Sequence, residues 1–369
     1  MSTQHLSSSL QAWLQTHAAA LHEDASQADA LLGQLARADV LSIAVPQAWG
    51  GDGQAPHQAV QAIAEVAEHS LTAAFVLWAQ RAFIDYLCVS DNPAARERWL
   101  PDMLQGRRAG ATGLSNAMKF LSQLEPLQLQ EQCSDGGLRQ VSGRLPWVTN
   151  LLRGGFVVAA AVQARQNHGQ PLIVALESNS AGLTRSDDLD LLGLRGSNTA
   201  AIALRDVVVP DYSLLAVEGL HFLKRARPMF LSLQCGMSIG LIRAALRAAE
   251  QVGAAREVLQ PRISRAWEVL QTQWLLLRTG LDSGQFVQDA PALFQIRLTL
   301  AALVQEAIQL ELQGSGGRAY LRSHLPQFGR RLQESAFVPV VTPSLTQLQG
   351  ELLRQSAAAP AVTVAVDAA

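Results

Sequence analysis

The chain has 369 residues, of which 49% are hydrophobic and 16% are charged, and its formal net charge is −2. A chain of this length and composition can bury a large core, so we expect two or three subdomains and little disorder. The balanced charge gives no sign of a basic surface, and we predict neither a nucleic acid nor a membrane as a partner.

The cysteines and the N-terminal segment indicate the compartment. Cys88, Cys133 and Cys235 are widely spaced and form no CxxC pair. This pattern is typical of reduced structural thiols rather than of a disulfide framework or a metal site. The polar N-terminal segment does not resemble a secretion signal, and no run of about 18 uninterrupted apolar residues occurs. We therefore expect a soluble protein in the cytoplasm.

Residues 1–120 have the periodicity of helices, with apolar residues recurring three and four positions apart. Breakers interrupt the pattern at 44–53 and at the segment SDNPAARERW. In that segment, Asp91 or Asn92 is placed to cap a helix that has Pro93 in its first turn. The pattern predicts an N-terminal α-helical domain.

The hydrophobic pattern changes over residues 121–215. Short apolar runs, GFVVAAAVQA, PLIVALES and TAAIALRDVVVP, alternate with turn signals at 134–137 and 197–199. Such alternation predicts a small central β-domain, built as a barrel or a sheet.

Long amphipathic stretches return over residues 216–355, and four of them would form an up-and-down helical bundle. Residues 356–369 are expected to be a disordered tail. The predicted fold class is therefore α+β and multidomain: a helical domain, a small β-domain and a four-helix bundle.

Six segments resemble, in the same order, elements of the acyl-CoA dehydrogenase superfamily, whose members bind FAD. The resemblance runs from about residue 40 to residue 330. It is carried by VPQAWGGDG (45–53), RERWLPDMLQG (96–106), GATGLSN (110–116), VSGRLPWVTN (141–150), LGLRGSNTAAIALRDVVVP (192–210) and QGSGGRAY (313–320). Each segment alone is a weak signal, but their order and the matching pattern of predicted helices and strands between them indicate this fold.

The resemblance implies a site for the flavin ring. In the family, a strand similar to GATGLSN contacts the ring, and this implies Ser115 as a contact residue with Leu114 and Asn116 beside it. It also implies that Trp147 packs beside the flavin and that the hydroxyl of Thr149 faces its reactive nitrogen. The alternatives are that Ser115 merely ends a strand and that Trp147 is ordinary core.

A second set of residues is implied for the far end of FAD. Gln313, Gly316 and Gly317 match an element that, in the family, reaches the adenosine and pyrophosphate of FAD bound mainly to a neighbouring subunit. An ordinary turn between helices is the alternative. If the cofactor role holds, FAD lies at a subunit interface, which implies a homodimer or a homotetramer.

The sequence departs from the family at the catalytic base. Acyl-CoA dehydrogenases remove an α-proton with a carboxylate, but the matching stretch, residues 335–350, contains no acid before Gly350 and has the neutral Thr342 at the expected position. The other position that the family uses falls near Phe230, and no acid occurs between Glu218 and Glu250. The catalytic residue is therefore unknown, and a recruited base such as Glu334 or Asp85 would be needed.

A second departure concerns the arginine that grips the pyrophosphate in the family. Its motif, R-x-x-F-G, is missing, and Arg256 or Arg262 is a candidate substitute because a guanidinium suits phosphate.

No metal site is predicted, since the histidines lack HxxxH or HExxH spacing. The aspartates at 187, 188 and 190 are interpreted as a solvated turn.

Three hypotheses for function follow. The first is an FAD-dependent oxidoreductase of acyl-CoA dehydrogenase type, acting on the CH–CH group of an acyl thioester. The second is a flavin-dependent monooxygenase that uses reduced flavin from a partner reductase, since members of this class need no α-proton base. The third is a degenerate, non-catalytic homologue, which the loss of both the base and the arginine would also produce.

Overall fold

The structure is a computed structural model, and it describes residues 5–121, 123, 125–133, 139–165, 170–251 and 256–358. The predicted turn at 134–137 and the tail beyond residue 358 lie outside these ranges. The described elements are α1 (Ser8–Glu23), α2 (Ala28–Arg37), α3 (His57–His69), α4 (Leu71–Val89), α5 (Pro93–Leu104), β1 (Ala109–Thr112), α6 (Ser115–Leu121), β2 (Leu129–Cys133), β3 (Arg139–Val148), β4 (Phe156–Gln163), β5 (Pro171–Glu177), β6 (Leu183–Asp188), β7 (Ala200–Val208), β8 (Leu214–Ala216), α7 (Gly219–Glu250), α8 (Arg256–Asp282), α9 (Ala290–Ser315), α10 (Arg330–Phe337) and α11 (Leu345–Ala358).

The predicted α+β architecture is confirmed, with a helical N-terminal region, a central sheet and a helical C-terminal region. Helix α5 begins as expected: Asn92 caps it by accepting a hydrogen bond from the backbone N–H of Ala94, and Pro93 is its first residue. Helix α4 is apolar on nearly every side, and 16 of its 19 residues are buried, because helices pack on one flank and the sheet on another.

The sheet has eight strands in the order β6-β7-β3-β2-β4-β5-β8, and β1 pairs with β4 in parallel. One side chain of α4 attaches both β1 and the residue pair after β3 to the helices. The side-chain oxygen of Gln80 on α4 accepts from the backbone N–H of Gly110 (2.6 Å) and from Asn150 Nδ2 (3.0 Å). The ends of β1 and β3 are therefore held against α4, and this fixes one wall of the cleft described below.

The C-terminal region differs in detail from the predicted four-helix bundle. It consists of three long helices, α7, α8 and α9, followed by the shorter α10 and α11. Helix α7 packs most extensively on α9 and on α3 of the N-terminal region, so the bundle and the first helices share one core. By length and mean hydropathy (1.5), α7 passes a test for a membrane-spanning helix, but 89% of that window is buried inside the protein, as expected for a core helix.

The predicted domain boundaries remain predictions, but β1 lies within the region predicted as helical and α11 extends past the predicted end of the bundle. Strand β1 and helix α6 precede residue 121, so the sheet draws its first strand from the region predicted as purely helical. Ser115 consequently does not end a strand. It begins α6, because the chain turns out of the sheet after Thr112. At the other end, α11 continues to Ala358, past the predicted start of the tail.

Candidate functional site

A cleft of about 490 Å³ separates the sheet from the C-terminal helices. Its sheet side is lined by residues at strand ends and by the loop before β7, and its helical side by α4, α10 and the segment after α10. The principal lining residues are Phe75, Trp78, Thr112, Ser115, Lys119, Trp147, Thr149, Thr199, Gln333, Phe337, Val341 and Thr342. The volume lies within the range of small-molecule sites.

The sheet wall is rich in hydroxyl groups because neighbouring strands end at this edge. Thr149 follows β3 and Thr199 precedes β7, its antiparallel partner, so the two hydroxyls lie 3.1 Å apart. Ser197 Oγ lies 2.8 Å from Thr199 Oγ1, so the three hydroxyls form a chain of hydrogen bonds. Three hydroxyls joined by two hydrogen bonds retain one spare proton, which Thr149 can donate into the cleft.

The helical wall is a cluster of aromatic rings. Phe75 stacks on Trp78 with ring centroids 5.4 Å apart and planes 7° apart, and Phe337 meets Phe75 edge-on at 4.8 Å. Trp78 is held in turn by a hydrogen bond from its Nε1 to the carbonyl of Phe230. A wall of this kind offers flat apolar surface and excludes water.

Among the described residues that line the cleft, Lys119 alone carries a charge, and it pairs with Glu125 (2.8 Å). No carboxylate is among these lining residues. Thr342, at the expected position of the base, does line the cleft, while Phe230, at the other expected position, is packed against Trp78. The structure therefore agrees with the sequence that neither usual position provides an acid.

The two carboxylates considered as recruited bases have other environments. Glu334 is fully buried, pairs with Arg330 (2.7 Å) and accepts a hydrogen bond from the first N–H of α4, that of Leu71. Asp85 lies on α4, and neither carboxylate lines the cleft. Burial raises the pKa of Asp85 to about 7, and the opposing effects of Arg81 and Arg225 do not offset it.

The structure brings together three of the predicted flavin contacts and not the others. Ser115, Trp147 and Thr149 all line the cleft, and Trp147 is 63% exposed rather than core. Leu114 is fully buried, and Asn116 turns away, with its amide bonded to the carbonyl of Pro126 and the N–H of Gln128. The cofactor role of all five residues remains a prediction.

The residues predicted for the far end of FAD form a separate group outside the cleft lining. Gly316 and Gly317 lie at the end of α9 with open space around them. One turn earlier, the side-chain oxygen of Gln313 accepts a hydrogen bond from Arg262 Nη1 (3.1 Å). Through Nη2, Arg262 also forms an ion pair with Glu306. Arg262 is thus beside the element it was expected to serve, whereas Arg256 begins α8.

Two cleft features were not predicted from the sequence. Gln333 lines the cleft, and His22 lies behind it, 2.7 Å from the Gln333 side-chain oxygen. No motif marks either residue, and 311 positions separate them.

The aspartates at 187, 188 and 190 pair with arginines, namely Arg153, Arg185 and Arg195. Among the described residues no group of three or more potential metal ligands occurs.

Comparison with known proteins gives a consistent result. Residues 2–107, which span α1 to α5, match the model of the acyl-CoA dehydrogenase N-terminal domain. Benzylmalonyl-CoA dehydrogenase of Aromatoleum aromaticum is 27% identical over 72% of this chain and 70% of its own length.

Solved structures share the fold over nearly the whole chain. The glutaryl-coenzyme A dehydrogenase complex with glutaryl-CoA has a TM-score of 0.77 at 16% identity and covers 97% of both chains. A dibenzothiophene monooxygenase from a Paenibacillus species has a TM-score of 0.72 at 16% identity, covering 92% of this chain and 93% of its own. At these identities the structures show the fold alone. Taken with the sequence matches, they establish that the chain belongs to the acyl-CoA dehydrogenase superfamily of flavin-dependent oxidoreductases.

Proposed function

We propose that the protein is an oxidoreductase that binds FAD, with the flavin ring in the cleft between the sheet and the helices. The single observation that carries this proposal is that Ser115, Trp147 and Thr149, the three residues implied as ring contacts, all line that cleft. The donor set fits the group: hydroxyls line one wall and flat apolar rings line the other, as a ring with a polar edge and apolar faces requires.

The protein's own residues would each have a defined part. Thr149, with the spare proton of the hydroxyl chain, donates a hydrogen bond to the ring, and Ser115 provides a second hydroxyl. The aromatic wall of Phe75 and Trp78 keeps water from the reacting face. When bound, the flavin supplies the redox chemistry, which no side chain of the cleft can provide.

Among the reactions of the superfamily, we propose oxygenation of an apolar substrate with reduced flavin from a partner reductase. The lining of the cleft supports this choice, since Lys119 is its one charged residue in the described chain and Thr342 stands where a base would be. Removal of an α-proton from a thioester requires a carboxylate within hydrogen-bond reach. Glu334 and Asp85 do not line the cleft.

Dehydrogenation of an acyl thioester at its CH–CH group is the second candidate. It is favoured by the sequence similarity to benzylmalonyl-CoA dehydrogenase, a protein whose name specifies an acyl-CoA substrate. For this reaction the chain would have to bring a carboxylate to the cleft from a neighbouring subunit or by movement.

We further propose that the protein acts as a homodimer or a homotetramer in the cytoplasm. The pair formed by Arg262 and Gln313 lies outside the cleft lining and is partly exposed, beside the open backbone of Gly316 and Gly317. A second copy would meet the phosphates of FAD there, since a guanidinium suits an anion and glycine lets a phosphate approach the backbone closely.

Visible spectroscopy of the purified chain reconstituted with FAD tests the proposal. Oxidised-flavin bands that stay with the protein on gel filtration are expected. Under anaerobic conditions, bleaching by NADH with a flavin reductase, followed by oxygen uptake on exposure to air, would support oxygenation.

Three other outcomes are distinguishable. Bleaching by acyl-CoA alone would overturn the oxygenase assignment in favour of the dehydrogenase. Bound flavin that neither NADH with the reductase nor acyl-CoA bleaches would indicate the non-catalytic homologue. A chain that is folded by circular dichroism and yet retains neither FAD nor FMN would overturn the flavin proposal itself.

A further inference from the structure

A side-chain amide, that of Gln333, stands beside the apolar rings of the helical wall of the cleft. Gln333 lies on α10, one helical turn before Phe337, and both residues line the cleft. The other rings of this wall belong to Phe75 and Trp78, and the indole N–H of Trp78 is already donated to the carbonyl of Phe230. The amide of Gln333 is therefore placed to contact a molecule that lies against these rings.

The hydrogen bond to His22 decides which end of this amide is free. Nδ1 of His22 accepts from the backbone N–H of Leu194, so Nε2 donates to the side-chain oxygen of Gln333 at 2.7 Å. His22 is 3% exposed and does not line the cleft, so the oxygen is turned towards the interior of the protein. The amide nitrogen points away from His22 and makes no hydrogen bond to any described residue. Because Gln333 is exposed where it lines the cleft, these N–H groups are available to a bound molecule.

The proposed position of the flavin leaves the helical wall to the substrate. Ser115, Trp147 and Thr149, the implied ring contacts, lie on the sheet side of the cleft, so a flavin ring held by them covers the sheet wall. A substrate between this ring and the helical wall meets flat apolar surface together with the amide of Gln333. Apolar pockets with a few placed polar groups are typical of small-molecule sites, where the polar groups fix the orientation of the ligand.

The charges of the cleft favour a neutral substrate. Among the described residues that line it, Lys119 alone is charged, and Glu125 neutralises it at 2.8 Å. A carboxylate on the substrate would lose its hydration without gaining an unpaired cation in this part of the chain. A carbonyl oxygen requires only a neutral donor, and an amide N–H is such a donor.

We propose that Gln333 determines specificity by donating a hydrogen bond to the carbonyl oxygen of a neutral aromatic substrate, whose ring packs against Phe75 and Phe337. The inference rests on the proposed function, which places the flavin on the sheet wall. His22 is a positioning residue, since it holds the amide with its N–H groups free. The hydrogen bond fixes the substrate at one end and thereby selects the part of its ring that faces the flavin.

A pair of ligands with the same shape tests the proposal on the full chain loaded with FAD. Acetophenone carries a carbonyl oxygen, and α-methylstyrene carries a methylene group in its place. Binding of both is measured by ligand-observed NMR titration. The Gln333→Met variant keeps the length of the side chain and removes the donor, so acetophenone should bind about fivefold more weakly, as expected for one lost hydrogen bond. The affinity for α-methylstyrene should stay unchanged.

Two further variants make the test specific to the donor. Gln333→Glu keeps an acceptor for His22 and replaces the N–H groups by a carboxylate oxygen, which repels a carbonyl. It should therefore weaken the binding of acetophenone more than Gln333→Met does. Gln15→Met is the matched control, since Gln15 is exposed on α1 and outside the cleft lining, and it should bind both ligands as the wild type does.

Retention of flavin on gel filtration, measured for every variant, separates this inference from the flavin proposal. Where flavin is retained, three results would overturn the role of Gln333: equal weakening of both ligands in Gln333→Met, weakening of neither, or a wild type that binds neither ligand. A folded wild type that retains no flavin contradicts the proposed function, and this inference with it.

Discussion

His22 Nε2 lies 2.7 Å from the side-chain oxygen of Gln333, which joins the first helix of the chain to the helix that faces the sheet across the cleft. The other ring nitrogen of His22 accepts a hydrogen bond from the backbone N–H of Leu194 (3.4 Å), in the loop of the opposite wall. This acceptor role assigns the proton to Nε2, so His22 donates to Gln333. The side-chain amide of Gln333 is thereby oriented with its oxygen away from the cleft.

Replacement of His22 by Ala should loosen both walls of the cleft. It removes the donor to Gln333 and the acceptor for Leu194, and it leaves a cavity beside Gly193, whose Cα packs against the imidazole ring. We expect a loss of about 2 kcal/mol in the free energy of unfolding, measured by urea denaturation, and weaker flavin binding.

The control for this prediction is His17→Ala on the same helix. His17 is only partly buried and contacts Trp13, so its loss should cost less than about 1 kcal/mol and leave flavin affinity unchanged. If the two variants lose equal stability and bind flavin equally well, His22 does not position the cleft.

Substitution of Thr149 by Val tests the hydroxyl chain. Valine keeps the shape of threonine and removes the hydroxyl, both as a donor and as an acceptor, so Thr199 loses its partner at 3.1 Å and the cleft loses the spare proton. Flavin binding, followed by the quenching of flavin fluorescence, should weaken about fivefold, as expected for one hydrogen bond of about 1 kcal/mol.

Thr184→Val is the matched control for Thr149→Val. Thr184 is exposed on β6, and its hydroxyl bonds only to the carbonyl of Ala203 at 3.4 Å. Its flavin affinity should equal that of the wild type. An unchanged affinity in the Thr149 variant would show that this hydroxyl does not contact the ring.

The sequence predicts those parts of the site that local segments provide. Trp147 and Thr149 stand at the end of one strand and Ser115 just after another, so a resemblance carried by short segments was enough to place them in one cleft. The fold class was also predictable, because hydrophobic periodicity distinguishes helices from strands. Strand β1 was implied only by the resemblance of GATGLSN to a strand of the family, since its four residues, AGAT, carry no period of their own.

The remaining features of the site arise from tertiary packing. His22 and Gln333 are 311 positions apart, and Arg297 donates a hydrogen bond to Gln234 only because α7 and α9 pack side by side. A single sequence shows no pattern for contacts of this kind, because each residue is unremarkable in its own segment. The absence of acids near Thr342 was visible in the sequence, but only the structure shows that Thr342 lines the cleft.

Replacement of Glu334 by Gln should destabilise the protein without changing its chemistry. Glu334 is fully buried, and its charge pairs with Arg330 at 2.7 Å, so the variant leaves a buried guanidinium without a counter-charge. We expect a loss of about 3–5 kcal/mol in the free energy of unfolding. Glu306→Gln, which breaks the exposed pair with Arg262, should lose less than about 1 kcal/mol.

Flavin reduction in the folded Glu334 variant provides the second readout. At a temperature where the variant is native by circular dichroism, the rate of flavin bleaching should match that of the wild type. A native variant that binds flavin but has lost its reduction by acyl-CoA would identify Glu334 as the base and support the dehydrogenase.

Asp85 should make the stability of the protein fall as pH rises towards 8. Burial raises its pKa from 3.8 to about 7 in the folded protein, and its Oδ2 has no hydrogen-bond partner among the described residues. Between these two values the folded state binds the proton that the unfolded state has lost, so each step up in pH favours unfolding. The penalty is absent below about pH 4, grows through this window, and is complete above the folded pKa.

Asp85→Asn removes the ionisable group and should therefore abolish this dependence. The variant is expected to be more stable than the wild type at pH 8, by up to about 4 kcal/mol, and equally stable near pH 4, as measured by urea denaturation at both values. Arg81 and Arg225 favour the charged form and reduce the difference, so the sign of the effect is the decisive result. Asp187→Asn, at a carboxylate that is almost fully exposed, controls for the loss of one acidic residue. If Asp85→Asn is less stable than the wild type at pH 8, the carboxylate is ionised there and held by the two arginines, and burial does not dominate its titration.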